Sequence, residues 1–158
     1  GGKRALVFSD SPKNAHKFCP HLFLNCCIDD GTAVIRFAFN PVKGAGMTME
    51  LRHYVNSIGD FVTGAVLSYA GGCLQADGRR IVAVPHGTWT DVELRIPVGG
   101  ANVGKWSVTA AVRGGERRTE SFDAFRNKRF TSLTWVGFMT YGDGKGVWQL
   151  DDFSLKKE

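Results

Sequence analysis

Residues 89–98 have the sequence WTDVELRIPV, with apolar side chains at every second position from Val92 to Val98 and charged residues or proline between them. A period of two is typical of a β-strand that buries one face. The same alternation occurs in residues 33–40 and 106–113. Three such segments predict a chain built mainly from strands, each with an inner and an outer face.

Glycine turn signals separate these segments, among them Asp30-Gly31, Asp77-Gly78 and Gly114-Gly115. Such pairs adopt the positive φ angles of tight hairpins at little steric cost. We predict eleven or twelve short strands, near residues 5–9, 21–28, 32–40, 47–54, 61–69, 73–76, 79–84, 89–97, 105–113, 116–122, 132–140 and 146–156. Many short strands at this spacing favour a two-sheet antiparallel jelly-roll β-sandwich, here a single domain over residues 1–158.

The charge pattern and the length of the apolar segments argue against two classes of partner. The net charge is +5, but basic and acidic residues are mixed, whereas a nucleic-acid-binding chain usually carries a purer basic stripe. No segment reaches the roughly 18 consecutive apolar residues of a membrane helix. We therefore expect neither a nucleic acid nor a membrane as a partner.

The four cysteines are Cys19, Cys26, Cys27 and Cys73. Their spacing is neither CxxC nor zinc-like, and they are too sparse for a disulfide scaffold. Adjacent Cys26 and Cys27 lie in a predicted strand and should point to opposite faces. We expect buried free thiols, with one or two disulfides as the alternative.

The chain starts Gly1-Gly2-Lys3-Arg4 and continues directly into an apolar run, without a starting Met or a signal peptide. We expect it to be one domain cut from a larger protein. An export signal would then lie upstream, so the localisation has to be inferred from other features.

Four segments together resemble the concanavalin A-like lectin/glucanase (laminin G-like) domains. They are GKRALVFSDSP at 2–12, GTWTDVELRIPV at 87–98, GKWSVTAAVRGG at 104–115 and LTWVGFMTYGDGKGVWQLDDFSL at 133–155. The resemblance covers nearly the whole chain and rests on strand patterns. It implies a jelly roll whose first strand, ending near Asp10, pairs with the last. The nearest comparison is the non-catalytic kind appended to bacterial polysaccharide-degrading enzymes.

The resemblance also implies a metal. In some carbohydrate-binding modules an aspartate of a similar "DD" strand helps to hold a structural Ca²⁺. Asp152 would be that ligand here, with Asp10 and backbone carbonyls beside it. Because Ca²⁺ takes six to eight oxygens, these two carboxylates make only part of a site. No other cofactor is expected.

Catalytic signatures of jelly-roll enzymes are missing from the sequence. A retaining glycosidase needs two carboxylates about 5 Å apart, and no E-x-D-x-x-E occurs. Asp91 and Glu93 have a suitable spacing but should face solvent, opposite to Val92 and Leu94. The lyase motifs Q-[IV]-H and Y-x-K-x-G-x-Y are also absent. We therefore expect no enzymatic activity in this domain, although the parent protein would be a glycoside hydrolase or polysaccharide lyase.

Five residues are candidates for sugar contact. Glu50, Arg52 and Tyr54 share one face of a strand, either as an ion pair within the sheet or as ligand contacts. Trp135 and Trp148 lie on strands whose two faces are both partly apolar, so their rings either stack on a sugar or join the core. By contrast, we expect Trp89 and Trp106 in the core.

The most basic region contains Arg117, Arg118, Arg126 and Arg129. It is either a solvated hairpin and loop or a patch for an anionic glycan, because arginine binds carboxylate and sulfate in bidentate fashion. The first functional hypothesis is a non-catalytic, lectin-like module that binds a polysaccharide or oligosaccharide within a larger secreted, cell-surface or periplasmic bacterial protein. The alternatives are a structural accessory sandwich packed on a neighbouring domain of the parent chain, and a lyase or hydrolase with an unrecognised site.

Overall fold

The computed structural model describes residues 4–44, 46–57, 59–100, 105–141 and 144–158. Over these residues the chain forms twelve strands: β1 (Leu6–Ser9), β2 (His21–Ile28), β3 (Gly31–Lys43), β4 (Met47–Ser57), β5 (Asp60–Ala70), β6 (Cys73–Ala76), β7 (Arg79–Ala83), β8 (Thr90–Val98), β9 (Trp106–Val112), β10 (Arg117–Phe122), β11 (Leu133–Thr140) and β12 (Val147–Lys157). Every predicted strand is present, within a few residues of its predicted bounds. The first three residues, Gly1–Lys3, which precede the predicted first strand, lie outside the described residues.

The strands form two antiparallel sheets of six among the described residues. Sheet A has the order β1-β12-β3-β8-β9-β10, and sheet B has the order β2-β11-β4-β5-β6-β7. The chain crosses repeatedly between the sheets, which is the topology of a jelly roll. β1 pairs with β12 from Leu6↔Leu150 to Ser9↔Val147, as the resemblance implied. The all-β sandwich prediction is confirmed.

The inner faces of the two sheets form one core. Along β3 the side chains of Ile35, Phe37 and Phe39 are buried, and the alternating residues of β8 and β9 are buried with them. Phe37 meets Phe138 of sheet B edge-on, with ring centroids 5.1 Å apart. Each such ring buries on the order of 150–250 Å², so these contacts supply much of the stabilisation between the sheets.

The outer face of sheet A carries ion pairs. Glu93 pairs with Arg36 at 2.6 Å, and Asp91 pairs with Arg113 at 2.5 Å. The predicted solvent-facing position of Asp91 and Glu93 is therefore correct. Trp106 is buried as predicted, whereas Trp89 is only half-buried, with the Arg113 guanidinium 5.7 Å from its ring.

The cysteines are all free thiols in the structure. Cys73 alone is buried; Cys26 is half-buried and donates to the carbonyl of Leu133, and Cys27 is exposed. Burial, with the nearby Cys27 adding to it, raises the pKa of Cys26 to about 11. The prediction of free thiols holds, but the prediction that they are buried holds only for Cys73. Among the described residues no helix has the length and apolarity needed to span a bilayer.

Candidate functional site

A groove of about 610 Å³ runs over the outer face of sheet B, across β2, β11 and β4. Aromatic rings, amides and hydroxyls line it, and the described lining residues are Phe18, His21, Phe23, Asn25, Arg52, Tyr54, Val55, Asn56, Trp135, Met139 and Tyr141. A concave site with mostly apolar walls and a few polar groups is the usual form of a small-ligand site. Three of the five predicted contact residues lie here.

The groove floor is a continuous series of ring contacts, edge-on between Phe18 and His21 and stacked from His21 through Phe23 to Trp135. Phe18, from the loop between β1 and β2, meets His21 at a centroid distance of 5.3 Å. His21 stacks on Phe23 at 5.6 Å, and Phe23 stacks on Trp135 of the neighbouring strand at 5.9 Å. His21 and Phe23 share a face because they are two residues apart on β2. Phe23 is 49% exposed, so its ring offers a surface to a ligand.

Arg52, on β4, continues this series of contacts from Trp135 of β11 to Phe61 of β5. Its guanidinium lies 4.3 Å from the ring centroid of Trp135 and 4.2 Å from that of Phe61. Each cation–π contact of this kind contributes about 0.5–2 kcal/mol. Glu50, two residues away on β4, accepts a hydrogen bond from Nε at 2.8 Å, and the same oxygen lies 2.7 Å from a terminal nitrogen. The predicted Glu50–Arg52 ion pair is therefore present.

Trp135 is neither the exposed stacking ring nor the core residue that the sequence predicted as alternatives, because it is buried outside the core between the sheets. Its side chain is only 6% exposed, because Phe23 and Arg52 cover it. The six-membered part of the indole lies over Gly137, where a Cβ atom would overlap the ring. Glycine at 137 thus gives the indole the space to lie flat on the sheet. Trp135 supports the exposed rings and offers little surface of its own.

Tyr54 and Tyr141 supply hydroxyl groups at the groove. Tyr54 lies 5.3 Å from Phe61, and its backbone N–H donates to the hydroxyl of Thr134. The Tyr141 backbone is held by Gly46, whose φ of 120° and contact with the Tyr141 carbonyl leave no space for a side chain. Burial, together with the nearby Glu50 charge, raises the pKa of Tyr141, while Arg52 lowers it by less.

Two predicted contact residues, Glu50 and Trp148, are not among the described groove-lining residues, and Trp148 lies in the core. It is 3% exposed and stacks on Phe8 with ring centroids 3.9 Å apart. Its indole N–H donates to the Thr140 hydroxyl at 2.9 Å. The pairing of β1 with β12 places Phe8 opposite Trp148, so both rings close the core. Of the two roles predicted for Trp148, the structure shows the one in the core.

The predicted basic patch does not form a single cationic surface. Three of its members have carboxylate partners on different parts of the chain: Arg118 with Glu116 at 2.5 Å, Arg126 with Asp77 at 3.4 Å and Arg129 with Asp60 at 3.3 Å. Arg117 lies apart, beside a shallow pocket on the outer face of sheet A. Exposed pairs of this kind contribute little to stability, but they reduce the positive potential available to a ligand.

The two predicted calcium ligands do not meet. The Asp10 carboxylate accepts hydrogen bonds from the backbone of Ser11 and Gly144 and from the Asn14 amide, so it fastens the loop that carries Phe18. Asp152 lies in the bulged part of β12 with a φ of 52°, 3.7 Å from an Arg113 nitrogen. Over the described residues no cluster of three His, Cys, Asp or Glu could hold a metal ion. The calcium site therefore stays a prediction.

Sequence reasoning missed His21, Phe23 and Phe18 as groove residues, and it missed Phe61 as the ring against Arg52. The signal for Phe23 was available, because Leu22, Phe23 and Leu24 are consecutive apolar residues, and in a strand one of them has to face outwards. Nothing local indicated that Phe61 of β5 would contact Arg52 or that Phe23 of β2 would contact Trp135.

Comparison with known proteins defines the fold class. No family model matches the chain, and no curated protein sequence matches it significantly. Among solved structures it is similar to the PL-14 alginate lyase from Aplysia kurodai, with a TM-score of 0.56, 8% identity and coverage of 99% of this chain and 100% of that one.

Two further structures are similar. The carbohydrate esterase vb_24B_21 from Shiga toxin-encoding bacteriophage phi24B has a TM-score of 0.55 and 12% identity over 100% of this chain and 88% of that one. Peanut lectin has a TM-score of 0.51 and 9% identity, covering 99% of this chain and 100% of that one. The chain therefore has a concanavalin A-like jelly-roll fold, shared by lectins and by enzymes.

Proposed function

We propose that this domain binds a polysaccharide or oligosaccharide in the groove of sheet B, as a non-catalytic module of a larger secreted or cell-surface protein. The observation that carries the proposal is the series of ring contacts that runs from Phe18 through His21, Phe23 and Trp135 to Arg52. The exposed ring of Phe23 offers a flat apolar surface, which suits the C–H face of a pyranose. Amides and hydroxyls beside it suit the ring hydroxyls.

The site chemistry favours binding over catalysis. The described groove lining contains no Asp or Glu, and Glu50 beside it is paired with Arg52. The Tyr141 hydroxyl has a raised pKa, so at neutral pH it is a hydrogen-bond donor and a poor base. The Glu50–Arg52 pair is held between aromatic rings, as a rigid binding surface requires. The neighbours include a lectin and a lyase, and the fold is compatible with either role.

The test is affinity electrophoresis of the chain through gels containing neutral and anionic polysaccharides. We expect one polymer class to retard it, and Phe23→Ala to abolish the retardation. Phe153→Ala is the matched control, since Phe153 is 38% exposed but lies outside the groove. No retardation by any polymer, or equal effects of the two variants, would overturn the proposal.

Catalysis is tested on the same polymers. We expect no new reducing ends and no absorbance from an unsaturated uronate after prolonged incubation. If either product accumulates with the wild type and does not accumulate with Tyr141→Phe, the domain is a hydrolase or a lyase and the proposal of a non-catalytic module is overturned.

A second function is supported by an apolar seam between the edge strands of the two sheets. Leu6, Leu22, Leu24 and Phe153 are all exposed around it. Exposed apolar clusters of this kind are typical of contact surfaces. We propose that this seam packs on a neighbouring domain of the parent chain. Leu24→Ser should then lower the melting temperature of the longer protein, and an unchanged value would contradict the packing role.

A further inference from the structure

We infer that the groove selects neutral glycans and discriminates against uronate-containing and sulfated polymers, although the chain as a whole is basic. This inference rests on the proposed function, because it assigns the ligand class of the same groove. It is drawn from the charges at the groove, which differ from those of the whole surface.

The groove lining contains little charge. Among its described residues Arg52 is the only side chain with a permanent charge. Lys17 adjoins Phe18 in the sequence, but its exposed side chain is not part of the lining. The net charge of +5 is therefore carried elsewhere, and long-range attraction of an anionic polymer is screened beyond about 8 Å at physiological salt.

The charge of Arg52 is already balanced. Two of its nitrogens contact a single Glu50 oxygen, at 2.8 and 2.7 Å, and both side chains of the pair are largely buried. The guanidinium also lies against two rings, 4.2 Å from the centroid of Phe61 and 4.3 Å from that of Trp135. A ligand carboxylate approaching Arg52 would have to compete with the fixed Glu50 carboxylate, and it would be repelled by that negative charge.

The remaining contacts suit uncharged groups. Asn25, Asn56 and the tyrosine hydroxyls both donate and accept hydrogen bonds, as sugar hydroxyls do. The raised pKa of Tyr141 keeps that hydroxyl neutral across the physiological range. A neutral pyranose can therefore pair its hydroxyls and cover Phe23 without leaving a charge unpaired, whereas a uronate would bury its carboxylate without a free cation.

The decisive variant is Glu50→Gln, which keeps the shape of the side chain and removes the charge that balances Arg52. We expect it to bind polyuronates about tenfold more tightly than the wild type, because Arg52 can then form charge-assisted hydrogen bonds with a carboxylate. Glu116→Gln is the matched control. Glu116 also pairs with an arginine two residues away, Arg118, but at the far edge of sheet A.

The assay measures retardation in gels with hydroxyethyl cellulose or glucomannan as neutral probes and with alginate or polygalacturonate as anionic probes. It is run at pH 8, above the range in which histidines ordinarily titrate, and at two salt concentrations. The inference predicts that the wild type is retarded by a neutral probe only, and that Glu50→Gln, but not Glu116→Gln, gains retardation by an anionic one.

Two other outcomes separate the inference from the proposed function. Retardation of the wild type by alginate or polygalacturonate, lost in Phe23→Ala, would overturn the neutral preference while leaving glycan binding in the groove intact. The absence of retardation by all probes in the wild type and in Glu50→Gln would overturn the proposed function, and the inference with it.

Discussion

Replacing Gly137 by alanine tests whether the groove depends on the flat indole of Trp135. A Cβ atom at 137 would lie well inside 3.0 Å of three atoms of the six-membered ring. The φ angle of Gly137 is not positive, so alanine fits the backbone and the effect is purely steric. The ring has to move by more than about 1 Å to reach an ordinary contact distance of roughly 3.5–4.0 Å.

The size of the effect follows from what the ring touches. Its displacement disturbs the cation–π contact with Arg52 at 4.3 Å and the stacking on Phe23 at 5.9 Å. Overpacking of a fitted site costs about 1–3 kcal/mol, and we expect the free energy of unfolding to fall by that amount. For a domain of this size the melting temperature should fall by about 2–4 °C for each kcal/mol. Affinity for the glycan should decrease by about tenfold, because a displacement of the Trp135 indole by about 1 Å removes the support of the exposed Phe23 ring.

The measurements are urea unfolding followed by tryptophan fluorescence, and gel retardation with the retarding polymer. Two glycine variants are controls. Gly59→Ala meets no atom within 4 Å and should leave both quantities unchanged. Gly64→Ala directs its methyl group into the ring of buried Phe130 on the core side, so it should destabilise the fold and leave the affinity of the folded protein unchanged.

Two outcomes would refute the argument. Wild-type stability in Gly137→Ala would mean that the indole is free to move and is not fixed by its neighbours. Reduced stability with unchanged affinity would mean that the ligand does not use the rings that Trp135 supports.

Three further predictions concern the core and the thiols. The pKa of Cys26 in the folded chain, about 11, lies above the ordinary value of 9.0, so the thiol ionises first in the unfolded chain and the free energy of unfolding should decrease between pH 9 and about 11. The decrease should be smaller in Cys26→Ala. Parallel curves of unfolding free energy against pH for the two proteins would contradict the burial of Cys26. Trp148→Ala should lower the free energy of unfolding, measured in urea, by about 3–5 kcal/mol. Loss of glycan binding at unchanged stability would instead mean that Trp148 contacts the ligand. Tyr69→Phe should cost about 1 kcal/mol, because the Val84 carbonyl loses a buried donor; a cost near zero would argue against that hydrogen bond.

The local sequence predicted those features of the structure that depend on the spacing of residues within one strand. The Glu50–Arg52 pair could be predicted because residues two apart on a strand lie on the same face. The strand bounds could be predicted because glycine pairs interrupt a period of two, and β8 buries alternate side chains from Thr90 to Val98 as expected.

Sequence was a poor guide wherever two strands far apart in the chain had to be placed side by side. Trp135 and Trp148 have similar surroundings in the sequence, with apolar neighbours on both strand faces. Phe8 of β1 closes the core over Trp148, and Phe23 of β2 covers Trp135 on the outside. Which ring meets which strand depends on the register of pairing, and no local pattern encodes it.

The amino-acid pattern alone therefore defines an antiparallel sandwich, its strands and most of its core, because burial on one face imposes a period of two that is visible within each strand. The groove exists only in the tertiary structure. It needs β2, β11, β4 and β5 to lie side by side in sheet B, so that Phe23, Trp135, Arg52 and Phe61 form one stacked series. Those contacts join residues up to 112 positions apart, between Phe23 and Trp135, and only chain folding brings them within stacking distance.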